Sequence, residues 1–305
     1  MNDDPKMQTM KVVAHPYLGV ISVIGAAALW GTTGTSQALA GGTLPSMWFG
    51  TLRLIFAALF FLVFAATTGG LTRRAWQGLP PRFAVGAGLC MAAYNLTFFL
   101  GVKFTGVGLG TAIALGSGPI WAGILQGMFQ RQPPTAVWWA STAVAIAGGV
   151  LFSVGSDSAA LSLPGMALCL ASGLSYAVYT LLNKHMVGRA PASSIVLAAF
   201  VVAALVAVPT AATQTGWPTL TGRNLIAVAY TGVVTAGVGY LLFSFALHHI
   251  RPATAVTLAL TEPVVAFALA VLVLGEPTSW LSLAGLVLVL TGVLGVVRSE
   301  MTTSA

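Results

Sequence analysis

Charge is the scarcest ingredient of this sequence. Asp, Glu, Lys and Arg make up 6% of its 305 residues, against about 25% in an ordinary soluble domain. With 57% hydrophobic residues and a mean hydropathy of +0.92, no soluble fold of this size could cover its apolar surface. Cysteine is almost missing as well. Cys90 and Cys169 stand alone inside apolar runs, with no CxxC or Cys/His cluster, which excludes a disulfide framework and a zinc site. No GKS or GKT follows the glycine-rich stretch between Gly106 and Gly118, so a nucleotide loop is excluded too. The excess of basic residues gives a net charge of +7, but they sit singly rather than in a stripe suited to nucleic acid. Asp3 and Asp4 precede Lys6 and Lys11, and no small-residue cleavage site follows, so a removable signal peptide is not expected.

What is present is a series of long apolar runs. A bilayer crossing needs about 20 mostly apolar residues. Gly, Pro and charge punctuation divide the chain into runs near 17–39, 47–68, 82–104, 107–130, 135–154, 163–186, 192–214, 224–247, 253–275 and 279–297. The runs lack the alternation of barrel strands, so the expected fold is an all-α integral membrane protein of ten transmembrane helices. The expected divisions are an N-terminal segment 1–16, a first five-helix repeat 17–154, a connecting loop 155–162, a second repeat 163–297 and a C-terminal tail 298–305. Of the connecting positive charges, Lys6, Lys11, Arg73, Arg74, Arg82, Arg131, Lys184, Arg189, Arg251 and Arg298 fall on one side, and Lys103 and Arg223 on the other. The positive-inside rule then puts both termini in the cytoplasm.

Shifting the sequence by 144 residues sets Pro119 on Pro263, Pro133 on Pro277 and Gly148 on Gly292, and a shift of 146 sets Trp30 on Tyr176. Each half has an odd number of runs, so the second must enter the membrane from the opposite face, as inverted repeats do around a midplane site.

AALWGTTG at 27–34, TLRLIFAAL at 51–59, GVKFTGVGLGTAIALGSGP at 101–119 and LTEPVVAFALAVLVLGEP at 260–277, in this order and spacing, resemble the EamA-type members of the drug/metabolite transporter superfamily. Among its branches the chain looks most like the YddG amino-acid exporters. The resemblance implies two inverted five-helix repeats around a central cavity, with small metabolites or drugs moved across the inner membrane, often outward. It departs from symmetry where Gly118 aligns with Glu262.

Glu262 is the acidic residue deepest in a predicted run, ten residues past Pro252 and so roughly 15 Å in. It either pairs with a substrate ammonium or exchanges a proton, or it is a protonated carboxyl satisfying backbone freed by Pro263. Arg53 lies about 9 Å past Met47 and reads as an anchor reaching the headgroups or a helix-packing residue, with capture of a substrate carboxylate as the alternative. Trp30, Tyr94, Trp121, Tyr176 and Tyr179 sit in the middle third of four runs, away from the usual interfacial belts. They either line a cavity, with Asn95 bonding a substrate, or pack helices together. Pro119 and Pro263, with Gly116 and Gly118, mark a gating or helix-breaking pair, or simply close packing. His248 and His249 read as solvated interface residues. The expected activity is a secondary transporter exporting aromatic or other neutral amino acids or similar metabolites by alternating access, acting on a small-molecule substrate in a lipid bilayer with no nucleic acid and no cofactor. A broad drug or cation exporter is the alternative. A membrane-embedded enzyme lacks catalytic residues converging at one depth, and a channel lacks a filter or charged ring. Oligomeric state is open, and a monomer is compatible with this reading.

Overall fold

The computed structural model describes residues 15–41, 44–153, 162–275 and 278–304. The expected N-terminal segment up to residue 14, most of the connecting loop and Pro277 lie outside them. Among the described residues the chain is helical, without strands beyond one isolated bridge between Val187 and Ala190. Its helices are α1 (Pro16–Leu39), α2 (Ser46–Thr67), the short α3 (Arg73–Gln77), α4 (Pro81–Thr105), α5 (Val107–Gln130), α6 (Ala136–Ser153), α7 (Leu163–Met186), α8 (Ala192–Thr215), α9 (Gly222–Ala246), α10 (Pro252–Leu274) and α11 (Trp280–Ser304). Among the described residues nine helices are long and apolar enough to cross a membrane, and α6 is a shorter apolar helix. Helices answer the demand that every backbone polar group be satisfied within its own segment.

Side chains turned outward remain apolar, as lipid requires of them: Leu205, Leu272 and Phe129 are more than 70% exposed. The turns use local devices. Thr72, Ser162 and Thr221 cap α3, α7 and α9 by accepting a backbone N–H. Gly106 turns the chain from α4 into α5 at a φ of 81°, a conformation that disfavours any side chain.

The packing has a pseudo-two-fold pattern. α1 packs on α9 and α10 as α7 packs on α4 and α5, and α2 packs on α9 as α8 packs on α4. The pairs α2–α8, α6–α11 and α5–α10 cross the axis. The repeat holds at single residues. Gly148 abuts Val289 while Gly292 abuts Ala145, the same contact under the 144-residue shift. Gly19 meets Ile250 as Gly165 meets Phe104, its equivalent under the 146-residue shift. The start of α1 therefore lies beside the end of α9, while the start of α7 lies beside the end of α4, so the two repeats run in opposite senses. The first described helix begins and the last one ends on the same face, the terminal face.

Two expectations need correction there. α11 continues past residue 297 to Ser304 and buries Glu300, whose carboxylate pairs with Arg251 at 2.8 Å and accepts from Thr254. The Glu300 charge is thus neutralised inside the protein, at the N-terminus of α10, where a negative group is favoured. His249 is buried rather than solvated, and its Nδ1 accepts from the His15 backbone N–H at 3.3 Å.

A Cβ on Gly292 would stand 2.5 Å from the Ala145 nitrogen, and one on Gly148 2.6 Å from the Gly285 carbonyl oxygen. Helix backbones would have to separate, and overpacking of this kind costs about 1–3 kcal/mol. Gly148→Val and Gly292→Val are expected to lower the thermal midpoint of the detergent-solubilised protein, whereas Gly222→Ala, which meets nothing within 4 Å, leaves it unchanged.

Candidate functional site

The site begins at an interruption in α10. From Ala259 to Thr261 the helix tightens into a 3-10 turn, and Pro263, lacking an N–H, follows at once. Glu262 emerges at this seam, at the N-terminal end of the outer α-helical stretch. Gly31 of α1 comes so close here that a Cβ on it would lie 2.8 Å from the Glu262 carbonyl oxygen. The partner proline behaves differently: α5 runs as one α-helix through Pro119. Only one of the paired prolines thus coincides with a change of helix type.

Glu262 lies on the wall of two adjoining cavities. The inner one, of 310 Å³, is walled by Trp30 from α1, Arg53 from α2, Tyr94 and Asn95 from α4, Tyr176 from α7 and Tyr240 from α9. The larger, of 560 Å³, is mostly apolar and extends along α5, α6, α10 and α11 to Leu274, Ser279 and Ser282, at the end remote from the terminal face. Gly34, Thr111, Leu115, Glu262 and Ala266 belong to both walls. Both volumes fall in the range of roughly 300–1,000 Å³ usual for small-molecule sites.

An aromatic layer closes the inner cavity toward the terminal face. Ring centroids of Trp30 and Tyr240 are 5.0 Å apart, those of Tyr94 and Tyr176 5.4 Å, and those of Tyr176 and Phe243 5.8 Å. Trp30 and Tyr176, equivalent in the two repeats, meet edge to face at 6.4 Å. Beneath them the polar groups are bonded to one another: Asn183 donates to the Tyr179 hydroxyl at 3.1 Å and accepts from Ser244 at 3.0 Å. Further down, Lys184 donates to the carbonyls of Leu247 and Ile250, and Gln126 accepts from the Ala253 N–H at 3.0 Å. Together with the Glu300–Arg251 pair, these bonds tie α5, α7 and α11 to the turn between α9 and α10. The terminal face is therefore sealed by polar bonds, while the remote end carries the cavity.

The cavity wall itself is different. Trp30 Nε1, Thr33 Oγ1, Arg53 Nε, Asn95 Oδ1 and the Tyr176 hydroxyl are buried without a hydrogen-bond partner. A buried polar atom left unpaired costs about 1–3 kcal/mol, and all five line one space. Arg53 and Glu262 share this wall without forming an ion pair with each other. Such an arrangement is fitted to receive a polar guest.

Of the residues expected at a site, the fold brings together Trp30, Tyr94, Asn95, Tyr176 and Glu262, with Gly116 and Pro263 on the adjoining wall. Trp121 and Tyr179 line neither cavity, nor do Gly118 and Pro119. Tyr179 lies one turn beyond Tyr176 toward the terminal face, below the aromatic layer, and its hydroxyl is already bonded. Trp121 packs part-buried against the helix core. Gly118 faces Val256 and Tyr176. Two further residues stand on the inner wall: Arg53, for which anchoring is the favoured reading of the sequence and carboxylate capture the alternative, and Tyr240, which the sequence does not single out. Arg53 reads as an anchor by depth alone, yet its side chain turns inward. Tyr240 follows a π-helical stretch, Thr231–Val238, whose wider turns advance less per residue, so a uniform count along the helix misplaces it.

A two-repeat helical membrane body with a polar-walled cavity between its repeats is built as a transporter. The sequence profile of the EamA-like transporter family matches residues 17–154 and again 163–298, and the chain belongs to that family. It is similar to the uncharacterized transporter YwfM of Bacillus subtilis (strain 168), 35% identical over 93% of this chain and 96% of the relative. It is also similar to the threonine/homoserine exporter RhtA of Escherichia coli (strain K12), 27% identical over 70% of this chain and 71% of the relative, and of Salmonella typhimurium (strain LT2), 26% identical over 68% of each chain. A crystal structure with a TM-score of 0.80, 15% identical, covers 94% of this chain and 99% of its own, and shows the same fold.

Gly34 lies on both cavity walls, and a Cβ there would meet nothing within 4 Å. Gly34→Phe is expected to fill the cavity at little cost in stability. The check is paired: the thermal midpoint stays within about 1 °C of wild type, a surface-like effect, while counterflow in proteoliposomes falls to background.

Proposed function

We propose that this chain is a secondary transporter that exports neutral amino acids or closely similar metabolites across the inner membrane by alternating access. The reading takes α6 as a tenth crossing and the terminal face as cytoplasmic, the side to which the positive-inside rule assigns most of the basic residues. The observation that carries it is the 310 Å³ cavity with five unpaired buried polar atoms and the side chains of Arg53 and Glu262 on its wall. A charge deep in a bilayer costs about 2.5–3.5 kcal/mol on insertion scales, and a packing role alone would pair it. The name of RhtA, a threonine/homoserine exporter, supports amino acids as the substrate class at the level of family likeness. In this reading the cavity, sealed toward the terminal face, is exposed outward, and the complementary state opens when the bonds of Lys184, Gln126 and Glu300 break. The broad cation exporter fits less well, since Arg53 shares the wall and repels a cation.

Counterflow of labelled threonine, leucine, methionine and phenylalanine into proteoliposomes, with and without a pH gradient, tests the reading. Saturable uptake of at least one is expected, and Glu262→Gln is expected to reduce it by about tenfold or more, the scale of a lost charged hydrogen bond. Saturable uptake of organic cations with no uptake of any amino acid would replace this proposal by the cation-exporter alternative.

A further inference from the structure

We propose that Arg53 and Glu262 are the two poles of a clamp for the zwitterionic α-carboxylate and α-ammonium of the substrate, whose side chain extends into the adjoining apolar cavity. This rests on the amino-acid reading above and narrows it to substrates that carry both charged groups.

Arg53 and Glu262 come from helices of different repeats, face one space and are not paired with each other. A positive and a negative group held apart in a low-dielectric cavity form a dipolar socket, and the guest that satisfies both must itself be dipolar. A simple cation satisfies only Glu262 and is repelled by Arg53, and a simple anion meets the reverse. The neighbouring atoms are of both kinds. Trp30 Nε1 and Arg53 Nε can only donate, and Asn95 Oδ1 can only accept; each is buried and unpartnered on the same wall. Trp30 and Asn95 are themselves 6% and 4% exposed, so they belong to a built site rather than to the surface.

The second cavity sets the side-chain class. It shares Glu262 and Leu115 with the first and continues along Ala112, Ile146, Phe267 and Ala270. Apart from Glu262, which the substrate ammonium occupies in this arrangement, its wall carries no charged residue, so Asp, Glu, Lys and Arg side chains would be desolvated there without a partner of their own. Its 560 Å³ leaves room for a branched or aromatic side chain. The predicted class is α-amino acids with uncharged, medium to large side chains.

The test uses competition against the best counterflow substrate among leucine, methionine and phenylalanine. Its methyl ester removes the carboxylate charge, and its N-acetyl derivative removes the ammonium. In the wild type each derivative should compete about tenfold or more weakly than the parent, because a site built for a polar group rejects the analogue lacking it. Arg53→Gln should bring the ester to parity with the parent and leave the N-acetyl derivative weak, and Glu262→Gln should do the opposite. Arg53→Lys, which keeps the positive pole, should retain the discrimination against the ester. If the Gln variants do not fold, the wild-type competition decides alone. Wild-type counterflow inhibited equally by parent, ester and N-acetyl derivative would overturn the clamp and leave amino-acid transport standing. Amino-acid counterflow absent altogether would overturn both.

Discussion

A bilayer offers no water to an unpaired polar group, and this constraint organises the whole molecule. It forces the backbone into helices, keeps the outward side chains apolar, and makes each inward polar atom costly until it finds a partner. At the terminal face that demand is largely met from within, with Trp138 Nε1 an exception. Glu300 takes Arg251 and Thr254, Lys184 takes the carbonyls that end α9, and Gln126 takes the first free N–H of α10. In the inner cavity it is not met. Five unpaired buried side-chain atoms thus gather on one cavity wall, whereas the terminal face is laced with bonds.

The inverted repeat supplies the framework, and departures from it make the two faces unlike each other. Helices pair symmetrically down to matched glycine contacts, yet among the described residues the Lys184 and Gln126 bonds at the terminal face have no equivalents at the other end. Under the repeat shifts Lys184 corresponds to Ala38 and Gln126 to Ala270. Likewise Glu262 corresponds to Gly118, so the carboxylate stands on one side of the axis only. Tightly packed glycine crossings such as Gly148 and Gly292 suit parts that move as rigid bodies, whereas the 3-10 turn before Pro263 places a weak point beside the cavity.

The fold was legible because hydropathy and membrane thickness dictate helix length almost directly, and because paired prolines and glycines betray a repeat. Helix ends agree with the apolar runs to within a few residues, except where α11 carries Glu300 inward, a burial that only a distant arginine makes tolerable. The site was half legible. Depth along a helix can be counted, and this found Trp30, Tyr94, Tyr176 and Glu262. Rotation cannot be counted in a helix that is apolar all round. Arg53 was therefore read as an anchor although it faces the cavity, and Trp121 was expected there although it packs elsewhere. Tyr240 was lost because a π-helical stretch breaks the even rise on which any depth count depends.

The central claim is that the space around Glu262 is the substrate site and is exposed alternately to the two faces of the membrane. Its most direct measurement is the labelling of a single cysteine at Ala266, with Cys90 and Cys169 replaced, by a membrane-impermeant thiol reagent added to one face at a time. The account predicts labelling from the face remote from the termini, protection by a saturating transported amino acid, and access from the terminal face during turnover. Labelling that ignores the substrate, or that is confined to one face during active counterflow, would contradict it.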